Sequence, residues 1–280
     1  MCIRDRYIVI IVKNSIMSSL GILGCGWLGV PLGKHLQTLN YNIKGSCRLK
    51  EGISNLNNNG IKGYQVVLEE NQTTGVKSFI DKLETLIISI PPGRKFKEGV
   101  YVKMIKNLLE NIEQTPLKRI VFLSSTSVYG SSEGVYNESS LVNPETSSAK
   151  ALHICENLII NSPLPSVIVR LGGLIGKDRN PIFQLQGKAI GNPLGCINFI
   201  HQEDAINGIS NLVINSRLKG IFNLVSPHHP LRKKYYNYSA LKFNLPTPKY
   251  TSEPAAIRIV KASKIIELTS FKYNVDNMLI

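Results

Sequence analysis

The stretch GILGCGWLGVPLG at residues 21–33 constrains this chain more than any other feature of its sequence. It holds the pattern GxGxxG as Gly24, Gly26 and Gly29, between a short apolar run and a segment with helical spacing. In such a pattern the first glycine permits a tight turn, the second lets backbone amides approach a diphosphate, and the third lets the helix pack on the strand. The helix amino terminus adds free N–H groups and a favourable dipole. We therefore predict a dinucleotide site, with a glycine-rich structural turn as the alternative.

Two non-glycine residues complete the predicted contacts of this turn. Trp27 and Leu28 stand between the last two glycines, where the helix begins. Pro31 counts against a regular helix, because it lies within the helical segment and lacks a backbone N–H donor.

The end of the predicted second strand, KGSCRLK at residues 44–50, selects between the two nicotinamide dinucleotides. A carboxylate there would bind the ribose hydroxyls of NAD, yet the first acidic residue is Glu51. Arg48, with Ser46 and Lys50 beside it, suits the 2′-phosphate of NADP instead. We predict NADP as the preferred cofactor and NAD as the other candidate. Solvated side chains on a loop are the alternative.

Apolar runs alternate with helical patterns along most of the chain, and the runs are continuous rather than alternating. That pattern is typical of a parallel sheet covered by helices on both faces. We predict an α/β fold with a Rossmann-type doubly wound parallel sheet and a smaller C-terminal substrate lobe. The predicted divisions are a non-native leader at 1–16, with Met17 as the true start, an NAD(P)-binding domain at 17–170, and a substrate-binding lobe at 171–280 with segments that return to the sheet.

The individual elements are predicted from hydrophobic spacing. The predicted strands are 20–23, 41–47, 64–68, 86–90, 119–124, 167–171, 198–201 and 221–225. The predicted helices are 27–39, 79–83, 101–112, 152–160 and 202–215. Residues 55–59, which are rich in asparagine, are predicted as a loop.

Charge and cysteine content narrow the class of partner. The chain has 33 lysines and arginines against 19 aspartates and glutamates, a formal net charge of +14. The basic residues are dispersed and no nucleic-acid recognition motif accompanies them, so we predict no nucleic-acid partner. The five cysteines lack CxxC spacing, which indicates reduced thiols in a cytoplasmic protein and no metal site. No apolar run is long enough for a transmembrane helix, so no membrane partner is predicted.

Residues 120–130 read IVFLSSTSVYG, an apolar strand that ends in a run of hydroxyl side chains. Ligands of open α/β sheets bind beyond the carboxyl ends of the strands, so these hydroxyls are predicted to face a crevice. A polar turn that closes the strand is the alternative. Together with GCGWLG, VRLGGLIG (169–176) and FIHQEDAI (199–206), this motif resembles the extended short-chain dehydrogenases/reductases, the NAD-dependent epimerase/dehydratase family, in its atypical YeeZ-like branch.

The resemblance implies that the N-terminal lobe binds NAD(P) and that the C-terminal lobe recognises substrate. It puts the family's catalytic serine at Ser125. Ser124, beside it, and Pro91, which ends the fourth predicted strand, complete the predicted cofactor contacts.

The same resemblance implies a Tyr-x-x-x-Lys element, in which tyrosine is the general acid/base and lysine lowers its pKa. No tyrosine stands at that place here. If Lys150 is the family lysine, Thr146 holds the place of the tyrosine. If Glu156 sets the register, the two places fall on Ser148 and Leu152.

Ser125, Thr146 and Lys150 are the predicted catalytic residues. A hydroxyl of serine or threonine ionises far less readily than a tyrosine phenol, whose pKa is about 10. Tyr136 is a less favoured substitute for the missing tyrosine. Arg170, which closes the sixth predicted strand, is expected to be a buried ion-pair anchor.

Two functions follow from these motifs. The resemblance implies an NAD(P)-dependent oxidoreductase or epimerase-like enzyme that acts on a small or sugar-like molecule. The missing tyrosine supports a second hypothesis, a non-catalytic NAD(P)-binding sensor or regulatory protein. A homodimer is left open.

Overall fold

The computed structural model describes residues 18–93, 97–112, 115–252, 256–275 and 278–279. The predicted leader at 1–16 and the predicted start at Met17 lie outside these ranges. The strands, numbered in chain order, are β1 (Ser19–Leu23), β2 (Asn42–Cys47), β3 (Lys62–Gln65), β4 (Val67–Leu68), β5 (Thr73–Thr74), β6 (Thr85–Ile88), β7 (Arg119–Ser125), β8 (Gly134–Tyr136), β9 (Ser166–Leu171), β10 (Gly173–Ile175), β11 (Ala189–Ile190), β12 (Phe199–His201), β13 (Gly220–Leu224), β14 (Lys249–Tyr250) and β15 (Arg258–Val260). The helices are α1 (Gly29–Thr38), α2 (Gly52–Asn58), α3 (Val76–Ile80), α4 (Val100–Ile112), α5 (Ser147–Ile160), α6 (Ile182–Leu185), α7 (Gln202–Ile214), α8 (Arg232–Lys242) and α9 (Ser263–Leu268), with a 3₁₀ turn at Thr126–Tyr129.

A seven-stranded sheet forms the centre of the described structure, in the order β13-β9-β7-β6-β1-β2-β3. All neighbouring strands of this sheet run parallel. Because β1 lies between β2 and β6, the chain winds outward to β3 and then returns to build the other half. This reversal makes the sheet doubly wound and opens a crevice at the carboxyl ends of β1 and β6. The predicted Rossmann-type fold is confirmed.

The continuous apolar strands explain the layered packing. Residues 86–88 and 167–169 are all 0% exposed, so neither face of these strands can meet water. One hydrophobic cluster lies between the sheet and helices α1, α7 and α9, and a second lies between the sheet and α3, α4 and α5. A parallel sheet with helices on both faces is the arrangement that such strands require.

The chain beyond residue 170 both completes the sheet and builds a smaller cluster beside it. Strand β13 pairs with β9 at the sheet edge, and α7 packs below the sheet. Helices α6 and α8 enclose a separate apolar cluster around Ile182 and Tyr235. Strand β10, which follows β9 directly, pairs in parallel with β12. The domain boundary at residue 170 stays a prediction.

Four predicted elements differ from the structure. The helix predicted at 152–160 begins five residues earlier, because α5 starts at Ser147. The strand predicted at 64–68 is two strands, β3 in the central sheet and β4, which pairs with β5. Residues 55–59 are not a loop: most of them belong to α2, whose Leu56 is 1% exposed and supplies the apolar contact. The helix predicted at 79–83 ends earlier, because α3 stops at Ile80 and Lys82 has a left-handed φ of 56°. A single buried side chain in an asparagine-rich helix leaves too little periodicity to recognise.

Among the described residues, every helix is too short or too polar to cross a membrane.

Candidate functional site

The glycine turn between β1 and α1 has the geometry expected of a dinucleotide motif. Gly24 has φ of +86°, and a Cβ there would lie 2.5 Å from Cγ2 of Ile90. A Cβ on Gly26 would have no protein atom within 4 Å, whereas one on Gly29 would lie 3.2 Å from the Gly24 carbonyl oxygen. Gly24 is therefore required by its conformation and its packing, and a Cβ at Gly29 would have to displace its neighbours by a few tenths of an ångström. Gly26 borders open space.

Helix α1 begins at this turn without a side-chain cap. Its N-cap residue, Leu28, makes no side-chain capping hydrogen bond. The same holds for α2, α3, α6, α8 and α9, whereas Thr146 caps α5 and His201 caps α7. The first N–H groups of a helix have no partner inside the helix. Here the Val30 amide donates to the Gly26 carbonyl over 3.0 Å and Pro31 has no N–H. Among the described residues, the amides of 27–29 have no protein acceptor, so they are the ones available to an anion at the glycine turn.

The end of β2 supports the turn from beneath. Ser46 is 2% exposed, and its Oγ accepts a hydrogen bond of 3.0 Å from the Gly24 amide. The Ser46 carbonyl accepts a second one, of 2.7 Å, from the Cys25 amide. Arg48 and Lys50 follow the strand with exposed side chains. Ser46 therefore holds the turn, and Arg48 is free to meet a ligand.

Trp27 connects the glycine turn to two later segments. Its indole Nε1 donates a hydrogen bond of 2.8 Å to Oδ1 of Asp178. In a regular helix the amide of residue 31 would donate to the Trp27 carbonyl oxygen, but Pro31 has no N–H. The carbonyl instead accepts a hydrogen bond of 2.8 Å from Nε2 of Gln202. The missing donor of Pro31 is thus replaced by a side chain from α7.

A cavity of about 590 Å³ opens at the carboxyl end of the sheet. It extends from the glycine turn to the hydroxyl-rich end of β7 and is closed on a third side by the segment after β9. Its lining comprises Gly24, Gly26, Trp27, Leu28, Ser89, Pro91, Pro92, Leu123, Ser124, Ser125, Ser127, Ser148, Leu152, Leu171, Gly172, Gly173, Leu174 and Arg179. Six of the predicted cofactor contacts line this cavity: Gly24, Gly26, Trp27, Leu28, Pro91 and Ser124.

The two serines at the end of β7 have opposite hydrogen-bonding roles. Ser124 Oγ donates to Oε1 of the buried Glu156 over 2.6 Å, so toward the cavity it can only accept. Ser125 Oγ accepts from the Ser127 amide over 3.1 Å, which leaves its own proton free to donate. A ligand oxygen in the cavity can therefore receive a hydrogen bond from Ser125.

The amino-terminal half of helix α5 borders two neighbouring cavities. Thr146 caps the helix, with Oγ1 accepting from the Ala149 amide over 3.2 Å, and it lines a neighbouring cavity of about 420 Å³ together with Lys150. Ser148 borders both cavities, and Leu152, one turn further on, lines the cavity that contains Ser125. The structure thus brings Ser148 and Leu152 to Ser125, the pair that the register set by Glu156 indicates. The catalytic roles of Ser125, Thr146 and Lys150 stay predictions.

Behind the serines lies a buried ion pair. Arg170 Nη2 donates to Oε2 of Glu156 over 2.7 Å, and Nε reaches Oε1 over 3.0 Å. Burial lowers the pKa of the Arg170 guanidinium, but the hydrogen bonds and the charge of Glu156 outweigh it and raise the pKa overall. The guanidinium also stacks on the Tyr129 ring, 4.9 Å from its centroid. The expected ion-pair anchor is confirmed.

Tyr136 does not take the place of the missing tyrosine in the cavity. Its hydroxyl donates to the Ser132 carbonyl over 3.1 Å, and its ring packs on Tyr129 with centroids 5.5 Å apart. It is not among the residues that line the cavity of Ser125. The described lining contains no tyrosine, lysine, histidine or carboxylate.

Several cavity residues were not predicted from the sequence. Ser89 follows β6, Gly172 and Gly173 follow β9, and Arg179 ends the loop after β10. The paired glycines at the end of a buried strand were the available signal, since close backbone approach to a ligand is one reason for glycine there. Arg179 has no such signal, because it is one of many dispersed basic residues.

Comparisons with known proteins agree with this architecture. Protein YeeZ of Escherichia coli (strain K12) is 30% identical over 275 residues, which cover 94% of this chain and 98% of YeeZ. The chloroplastic epimerase family protein SDR39U1 homolog of Arabidopsis thaliana is 28% identical over 159 residues, 51% of this chain and 44% of its own. No sequence profile of a known family matches the chain.

Two solved structures illustrate the fold likeness. UDP-glucuronic acid 4-epimerase from Bacillus cereus, in complex with NAD, superposes with a TM-score of 0.79 at 17% identity and 93% coverage of both chains. A conserved protein of unknown function from Silicibacter pomeroyi gives 0.75 at 19% identity, covering 94% of this chain and 96% of its own. With the relationship to YeeZ, the glycine turn and the SSTSVYG strand end, the chain belongs to the YeeZ-like branch of the extended short-chain dehydrogenases/reductases, the NAD-dependent epimerase/dehydratase family.

Proposed function

We propose that this chain is an NAD(P)-dependent oxidoreductase or epimerase-like enzyme that acts on a small or sugar-like hydroxyl or carbonyl compound. The observation that supports it most is the single cavity that joins the glycine turn to the hydroxyl of Ser125. A solved structural neighbour is described as a UDP-glucuronic acid 4-epimerase with bound NAD. A cytoplasmic location and a homodimer belong to the same proposal.

The residues at the turn fit a dinucleotide. Gly26 faces open space, α1 has no side-chain cap, and Ser46 holds the Gly24 amide from below. A diphosphate at this point would meet helix amides on a closely approaching backbone, which is the chemistry of the GxGxxG motif. We propose Gly24, Gly26, Trp27, Leu28, Gly29, Ser46, Pro91 and Ser124 as the cofactor-holding set.

Arg48 supports NADP rather than NAD as the preferred cofactor. It follows β2 with an exposed side chain, and Lys50 lies exposed beside it. The first carboxylate after β2 is Glu51, the N-cap residue of α2. A guanidinium at the strand end matches a 2′-phosphate, whereas a carboxylate would match the ribose hydroxyls of NAD.

The chain's own part in the chemistry is orientation. When bound, a nicotinamide ring supplies hydride transfer to or from a substrate carbon. The Ser125 hydroxyl, with its proton free, would hold the substrate oxygen, and Ser124 would be fixed as an acceptor by Glu156. Ser148 is the hydroxyl of α5 that lines the same cavity, and the cavity is open, so the proton would exchange with solvent. Thr146 and Lys150 would act from the neighbouring cavity.

A specific observation favours a second function, a non-catalytic NAD(P)-binding sensor or regulatory protein. The described cavity lining offers hydroxyls and one arginine, and no group that titrates near neutral pH. An efficient general acid or base needs a pKa near the working pH. A protein that only binds the dinucleotide needs no such group.

Turnover separates the two functions. NADPH oxidation would be followed at 340 nm with a panel of ketones, aldehydes and nucleotide-linked keto sugars. We expect slow turnover of some member and a loss of about a hundredfold in Ser125→Ala, which removes one donor to the reacting oxygen. The matched control is Ser132→Ala, since Ser132 is exposed and outside the cavity lining. Tight NADPH binding with no turnover across the panel would favour the sensor, and equal turnover in Ser125→Ala would exclude a role for this serine.

A further inference from the structure

Arg179 is the one charged side chain among the described residues that line the cavity. The remaining lining is glycine, proline, serine, tryptophan and leucine. Neither the glycine turn nor the serines explain a cation in this position. Arg179 lies in the loop after β10, far in sequence from the glycine turn and from the serines at the end of β7.

The backbone fixes Arg179 in place. Residues 176–179 form a tight turn in which the Gly176 amide donates to the Arg179 carbonyl over 2.9 Å and the Arg179 amide donates back over 3.2 Å. Asp178, in the same turn, accepts the 2.8 Å hydrogen bond from the Trp27 indole. Gly176 packs so closely on Trp27 that a Cβ there would lie 2.9 Å from Cζ2 of the ring. The turn is therefore anchored directly to Trp27, which precedes the N-cap residue of α1.

The Arg179 guanidinium lies above the Trp27 ring, with Cζ 5.0 Å from the ring centroid. Within the described ranges it has no carboxylate within 4.0 Å and makes no side-chain hydrogen bond. Its five N–H donors are thus unused by the protein, while the stack holds its plane. Arg170, by contrast, is paired with Glu156, whose carboxylate balances its charge and accepts its hydrogen bonds.

Two sources of positive potential meet at this point. One is the amino terminus of α1, which has no side-chain cap and starts at Gly29, two residues after Trp27. The other is Arg179, held on Trp27 from the opposite lobe. The glycine turn follows β1 and Ser125 ends β7, two strands away in the sheet, a separation of about 10 Å at the spacing of neighbouring strands. An anion beside Trp27 would therefore lie well apart from the oxygen held by Ser125.

We infer that Arg179 binds the diphosphate of the dinucleotide from the side opposite the α1 amides, and so closes the C-terminal segment over the cofactor. This inference rests on the proposed function, because it needs a dinucleotide in the cavity. The group that Arg179 binds would be an anionic oxygen of a phosphate or a carboxylate. Such an oxygen could belong to the dinucleotide or to a charged substrate, and the experiment must distinguish the two.

The chain's own fluorescence provides the readout. Trp27 is the single tryptophan, so its emission reports ligands at the glycine turn. Wild type, Arg179→Gln and Arg179→Lys would be titrated with NADPH, with ADP-ribose, which has the diphosphate without nicotinamide, and with 2′-AMP, which has no diphosphate. Calorimetry would check each dissociation constant independently of the tryptophan. Lys177→Gln is the matched control, since Lys177 is an exposed cation in the same turn but outside the cavity lining.

We expect Arg179→Gln to weaken NADPH and ADP-ribose by about tenfold each, as loss of a charge-assisted hydrogen bond requires. Binding of 2′-AMP should not change, Lys177→Gln should behave as wild type, and Arg179→Lys should lose less than Arg179→Gln because it keeps the charge without the planar fork. Unchanged thermal unfolding would show that the variants are folded.

Two results would overturn the inference. If wild type binds NADPH and Arg179→Gln binds NADPH and ADP-ribose as tightly, Arg179 does not hold the diphosphate, although the proposed function stands. A raised KM for an anionic substrate in that variant would then assign the arginine to the substrate. If wild type binds none of the three nucleotides, the proposed function fails and this inference fails with it.

Discussion

At the scale of single residues, the site is defined by which polar groups are already committed to the protein. Ser46 and Ser124 are buried and each serves another part of the structure, the Gly24 amide and the Glu156 carboxylate. Ser125 and Arg179 keep unused donors that face the cavity. Residue type alone does not distinguish a serine that supports a loop from one that meets a ligand, because both occur at strand ends.

Arg48 provides a prediction at this scale. Arg48→Ala should weaken NADPH by about tenfold and leave NADH nearly unchanged, since a charge-assisted contact to the 2′-phosphate is removed. Calorimetric titration of both cofactors would measure the change in their affinity ratio. The control is Arg217→Ala, an exposed arginine that precedes β13 and so lies at the amino end of the sheet. If the ratio of the affinities for NADPH and NADH is unchanged in Arg48→Ala, the Arg48 side chain is solvated and does not contact the 2′-phosphate.

At the scale of elements, α5 determines what reaches the cavity. One face of this helix brings Ser148, Leu152 and Glu156 toward the end of β7, at spacings of four residues. In the register that Glu156 sets, Ser148 and Leu152 stand at the places where the resemblance implies tyrosine and lysine. In that register the helix supplies a hydroxyl and packing instead of an acid–base pair. Glu156 holds the arrangement to β9 through Arg170.

The ion pair gives a prediction for stability. Glu156→Gln removes the charge that compensates Arg170, which is 3% exposed, so the free energy of unfolding should fall by about 3 kcal/mol. Urea denaturation would measure it, with Glu110→Gln as the control because Glu110 is exposed on the neighbouring α4. Equal midpoints for the two variants would mean that the pair contributes little.

The elements differ in how well the sequence predicts them. The strands of the sheet were predictable because burial on both faces leaves continuous apolar runs such as LII at 86–88. The register of α5 was not, because threonine and serine fit a cap and a first helical turn equally well. In the structure, Thr146 Oγ1 accepts from the Ala149 amide and so caps the helix, and Ser148 lines the cavity. The contacts of Glu156 with Ser124 and Arg170 hold the helix in this orientation.

At the scale of the whole molecule, three distant segments meet because the sheet is doubly wound. The glycine turn follows β1, an interior strand of the sheet, the serines end β7, and the segment with Arg179 comes from beyond β9. The crevice where they meet follows from the order of the strands. The alternation of apolar strands with helical patterns in the sequence predicts such a doubly wound sheet, although not the individual contacts. The contact of Asp178 and Arg179 with Trp27 spans about half of the chain and has no local sequence pattern, so it required the structure.

The central claim is that this cavity binds a nicotinamide dinucleotide at the glycine turn, and calorimetric titration of NADPH into wild type and Gly26→Ala tests it most directly. A Cβ on Gly26 meets no protein atom within 4 Å, so the variant should fold with an unchanged midpoint of thermal unfolding. The added methyl group would instead fill the space that a diphosphate needs. We predict saturable binding to wild type and an affinity at least about tenfold lower in Gly26→Ala. No binding to wild type, or equal binding to both proteins, would contradict the account.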